Sequence, residues 1–101
     1  MPTDLSTAQV FPYFAEIALA NSNAHKIIIS EKSKSITIGS EAKKVYVARN
    51  GATDGAAMPA NKVWVTAGNL IQFEWQLGTG KTEEIYISTD APPANVIVIM
   101  E

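Results

Sequence analysis

The stretch "NKVWVTAGNLIQFEWQLGTGKTEEIYIS", residues 61–88, holds three short runs in which apolar and polar side chains alternate. A period of two places successive side chains on opposite faces, as a half-buried strand requires. The runs "KVWVTA" (62–67), "NLIQFEWQ" (69–76) and "EEIYIS" (83–88) are rich in β-branched and aromatic residues. "AG" and "LGTGK" separate them, and glycines between alternating runs predict hairpin turns. The same stretch contains Gly80-Lys81-Thr82, the tail of a nucleotide-binding P-loop. A working loop needs its first glycine five residues before the second. That position is Trp75, whose ring would block the backbone approach that cradles phosphate. The motif must also open a helix. We therefore read "LGTGK", residues 77–81, as a turn between strands.

Working outward, "KIIIS" (26–30), "SITIG" (35–39), "KVYVAR" (44–49) and "NVIVIM" (95–100) repeat the pattern. The connectors "EKSK", "GSEAK" and "TDAPPA" are turn-sized, and Pro92-Pro93 cannot lie in a central strand. Strands at this spacing with no helix between them predict an all-β, antiparallel β-sandwich of 7–8 strands, jelly-roll-like or immunoglobulin-like. We assign residues 25–101 to this domain. Residues 1–24 form an N-terminal arm or short extra element. Within them "PYFAEIALANSN" fits either a short helix starting near Pro12 or an extended strand. The strand would turn at Asn-Ser-Asn and pair with "HKIIIS". Company with so many strands favours the extended form, which would make an even eight.

At 101 residues the chain suits one domain burying about 60–65% of its unfolded surface. An apolar content of 47% against 18% charged residues describes a folded protein. The net charge of −2, pI about 5.3 and scattered basic residues argue against a nucleic-acid partner. With no cysteine, disulfides and thiolate metal sites are excluded. The N-terminal residues lack the basic region of a signal peptide, and no apolar run reaches membrane-spanning length, so no membrane association is expected.

Catalytic groups are sparse. His25 is the sole histidine, and a lone histidine at a strand start is usually solvated or hydrogen-bonded in a turn. Asp54 and Asp90 occupy separate turns, where their side chains serve the backbone. No nucleophile–base pair and no convergent metal ligands can be assembled from the sequence. We expect no catalytic residues, no metal and no cofactor, and a protein that is not an enzyme.

The candidate function is contact. Val45-Tyr46-Val47, Val63-Trp64-Val65 and Ile85-Tyr86-Ile87 place aliphatics on one face and Tyr46, Trp64 and Tyr86 on the other. Those aromatics are either covered, with Phe11, Tyr13 and Phe14 as the nearest source of cover, or exposed to a partner or a sugar. "VIVIM" (96–100) is apolar on both faces, which fits a central strand or one covered by another subunit. The connector "NGATDGAAMPAN" (50–61) exceeds hairpin length, and Asn50, Asp54 and Met58 mark it as a contact element or a crossover between sheets.

The segments "SITIGSEAKKVYVARNG", "KVWVTAGNLIQFEW", "EEIYIST" and "ANVIVIME" together resemble, in layout, small β-sandwich virion proteins of tailed bacteriophages, of the capsid-decorating or head-stabilising type. The resemblance spans about residues 33–101 and carries no diagnostic motif. It implies a structural virion protein, made in the host bacterial cytoplasm. Such a protein forms small homo-oligomers, trimers among them, and binds the major capsid or another virion protein. It would touch the shell through residues 1–20 and the 50–61 loop. The alternative is a carbohydrate-binding β-sandwich module stacking sugars on Trp64, Tyr46 and Tyr86.

Overall fold

Every alternating run becomes a strand in the computed structural model, which describes residues 2–49, 51–74 and 83–101. Among the described residues there are nine strands and no helix: β1 (Thr3–Leu5), β2 (Tyr13–Leu19), β3 (His25–Ile29), β4 (Ser35–Gly39), β5 (Val45–Ala48), β6 (Val63–Val65), β7 (Leu70–Glu74), β8 (Glu83–Thr89) and β9 (Ala94–Met100). They form two sheets that pack as a sandwich. One sheet has the order β1-β3-β8-β5-β6 and the other β2-β9-β4-β7. The first sheet is five-stranded and the second four-stranded.

The pairings are nested. β2 pairs with β9, β3 with β8, β4 with β7 and β5 with β6, all antiparallel. The contacts β4–β9 and β5–β8 stitch those pairs into sheets. A chain doubled back on itself from its midpoint and then rolled into two layers is a jelly roll. An immunoglobulin sandwich would instead group its strands as ABED and CFG. β1 is a ninth strand, parallel to β3.

Alternation supplies the core. Ile27, Ile29, Ile85 and Ile87 from one sheet meet Ile36, Ile38, Val96 and Val98 from the other, all fully buried. Each such side chain contributes about 1.5–3 kcal/mol on burial. β9 lies between β2 and β4, so the doubly apolar "VIVIM" is a central strand.

Three local expectations need correction. First, the N-terminal segment is a strand and not a helix, but β2 does not pair with β3. It pairs with β9 in the opposite sheet, because its inward Ile17 and Leu19 complete the core there. Second, β7 and β8 belong to opposite sheets, so they do not form a hairpin with each other. The expected turn, with Gly80-Lys81-Thr82 and Trp75, falls at 75–82, outside the described residues. Residues 66–69 likewise lead from one sheet to the other, with Gly68 at φ +82°, a conformation that suits glycine. Third, the 50–61 connector is no crossover between sheets, since it joins β5 to its neighbour β6 in the same sheet.

Candidate interaction surfaces

The outer face of the five-stranded sheet gathers the predicted aromatics. Val45 and Val47 point into the core, so Tyr46 points out, directly opposite Trp64 on β6. Tyr86 lies one diagonal away, since Tyr46 pairs with Ser88 and Tyr86 with Ala48. Trp64 is 59% exposed, while Tyr46 and Tyr86 are half-buried. Lysines that carried no signal in the sequence flank these rings. The Lys44 ammonium lies 5.1 Å from the Tyr46 ring centre and 5.4 Å from that of Trp64. The Lys62 ammonium lies 5.3 Å from Tyr46. Cations at this range are held by the ring quadrupole. Tyr46 also reaches Asp90 at 3.5 Å.

Towards β3 the same face is electrically balanced. Lys26 pairs with Glu84 at 2.9 Å, and that bond holds the Lys26 amine above its usual range. Arg49 pairs with Glu83 at the margin. Among the described residues, Lys44 and Lys62 take part in no ion pair, so two ammonium groups face the single carboxylate of Asp90 and the β5–β6 end is net positive.

Phe11, Tyr13 and Phe14 do not cover these rings, because Tyr13 and Phe14 lie on β2 in the other sheet and Phe11 packs against the core. Phe11 is half-buried against the core, and Tyr13 lies at the exposed end of β2. Phe14 points outward from the four-stranded sheet and is 68% exposed. Alternation across β9 and β7 brings more apolar side chains to that outer face. Ile99 stands opposite Phe14, Ile97 is 40% exposed, and Leu70 is 58% exposed. Leu70 reaches Ile97's row across Gly39, where an added Cβ would sit 2.6 Å from Leu70 Cδ2. The only charged side chains that these four strands present are Glu16 and Glu74, both exposed. The sequence signalled only part of this patch, through the two apolar faces of "VIVIM".

The 51–61 segment is bound to the sandwich at β3. Asp54 Oδ1 accepts a 2.9 Å bond from the Lys26 backbone N–H. Gly55 N donates to Ala24 O at 2.8 Å, and Ala24 N donates to Ala56 O at 2.7 Å. Asp54 and Met58 are half-buried, and Asn50 lies outside the described residues. Beside Asp54 lies an open cleft of about 270 Å³ lined by Asn21, Asn23, His25 and Gly55. Its polar groups serve the chain itself. Asn21 accepts from the Asn23 N–H, and His25 Nε2 lies 2.7 Å from Thr3 Oγ1. Burial pushes the His25 imidazole below its ordinary value of 6.5, and the Asp54 charge partly opposes this. Among the described residues, no three carboxylates or imidazoles converge as a metal site would require.

Comparison with protein-family models, with curated proteins and with solved structures found no significant match to this chain.

Proposed function

We propose that the protein is a non-catalytic structural component of a virion, one that decorates or stabilises a phage capsid through contacts between subunits. The observation that supports this most is the outer face of the four-stranded sheet. A solvated sheet face normally carries polar side chains, whereas this one presents Phe14, Ile97, Ile99 and Leu70 in adjoining rows. Such a face gains free energy by being covered, as in a lattice of subunits. The jelly roll is used by viral capsid and lectin domains alike, so the fold by itself does not choose between them. The lysines choose. A sugar-binding platform needs open ring faces, and Lys44 and Lys62 already lie over Tyr46 and Trp64. A protein partner accommodates both the rings and the ammonium groups.

The test is quantitative mass spectrometry of density-purified particles from the encoding phage. The reading expects the chain in fixed proportion to the capsid protein, and its absence from intact particles sinks it. Binding only the assembled shell stabilises that shell by mass action. Particles carrying the protein should accordingly survive heating that ruptures particles without it.

A further inference from the structure

The two outer faces of the sandwich are complementary to each other, and we infer that copies of this chain associate face to back. The Tyr46–Trp64 face of one copy would seat on the Phe14–Leu70 face of the next. This rests on the assembly reading and names its partner as a second copy of the chain.

Charge decides between the possible contacts. The β5–β6 end of the five-stranded sheet offers Lys44 and Lys62 around two aromatic rings. The four-stranded sheet offers Glu16 and Glu74 around an aliphatic patch, and at its rim Glu41 and Lys43, which share a cleft with Glu16 and Ile97, offset each other, so this face is net negative. Pairing the four-stranded face with itself sets glutamate against glutamate, and pairing the aromatic face with itself sets lysine against lysine. The mixed contact sets a net positive face against a net negative one while covering apolar surface on both sides. Like-charge juxtaposition penalises the two symmetric alternatives.

The geometry has a further consequence. A contact between two different faces is heterologous, so each bound copy leaves one face open and association does not stop at a dimer. The two faces lie on opposite sides of one sandwich, so copies stack along the sheet normal. With sheets about 10 Å apart inside and between copies, the repeat is roughly 20 Å.

Sedimentation velocity across a concentration series tests this with two charge-reversed proteins, K44E/K62E and E16K/E74K. The wild type is expected to form a series extending beyond the dimer. Raising salt from about 50 to 500 mM should weaken it, because the contact charges are exposed. Each reversed protein alone has two faces of one sign and should self-associate roughly tenfold more weakly or worse. Mixed in equal amounts they should assemble again, since each then meets a face of opposite sign. That recovery cannot come from misfolded protein, and circular dichroism of each variant checks the fold independently. If a variant does not fold, K44Q/K62Q and E16Q/E74Q test the same charges, and each should weaken assembly.

A wild-type series that stops at the dimer, or that ignores both salt and charge substitution, overturns the inference. A chain monomeric at all concentrations yet present in purified particles also overturns it, and leaves the virion reading intact. Charge-dependent stacking by a chain absent from particles has the opposite meaning: the contact stands and the virion reading falls.

Discussion

Replacing Asp54 with alanine should loosen the 51–61 segment from the sandwich, and the structure sets the size of the effect. Asp54 Oδ1 accepts the Lys26 backbone N–H at 2.9 Å. The β1 partnership of β3 begins only at Ile27, opposite Thr3, so no strand stands ready to replace that acceptor. A hydrogen bond to a charged group contributes about 1.5–3 kcal/mol, and the donor left behind is partly desolvated. Because Asp54 is half exposed, water recovers part of the loss, and we expect about 1–2 kcal/mol. For a domain of this size that is a melting-point fall of roughly 5–15 °C. Asp54→Asn keeps a carbonyl acceptor and should lose less than half as much. Hydrogen exchange locates the effect: the Lys26 amide should lose protection in Asp54→Ala, while Ile27 and Ile28, flanked by both β8 and β1, keep theirs. Unchanged Lys26 protection, or a stability within about 0.5 kcal/mol of the wild type, the range of an inert surface change, would refute the account of this segment as a strap.

Gly39→Ala should be more damaging than its size suggests. The added Cβ would collide with the Asn69 carbonyl oxygen as well as Leu70, so the backbone before β7 must move, at about 1–3 kcal/mol in a urea melt. Leu70→Ser, in contrast, changes a mostly exposed side chain and should alter stability by no more than about 0.5 kcal/mol. It should still weaken self-association in sedimentation. A folded-state pKa below 6.5 at His25 means that the native protein resists protonation there. The resulting stability is complete above the unfolded value of 6.5 and is lost as pH falls below it towards the folded value. Urea midpoints measured from pH 7.5 to 5.5 should therefore fall in the wild type and fall less in His25→Gln.

The sequence by itself determined the elements from β3 onward and their inward faces. Alternation in "SITIG", "EEIYIS" and "NVIVIM" marks those strands, because burial on one side of a pleated chain demands a period of two. The same parity correctly placed Tyr46, Trp64 and Tyr86 away from the core. It could not say which strands are neighbours. A short Gly- or Pro-bearing connector such as "AG" or "TDAPPA" serves equally as a hairpin turn or as an arch between sheets, since both need only a sharp reversal. Only the tertiary structure decided that the strands between β1 and β9 change sheets at every step except β5 to β6. Which charges gather on each outer face depends on that nesting. Lys44 and Lys62 stand around one ring because β5 and β6 pair, whereas Glu16 and Glu74 share a face through β9 and β4, which lie between their strands. Those residues are far apart in the chain, and no local pattern encodes their meeting. Packing between the two sheets does, because it fixes the register that brings them together.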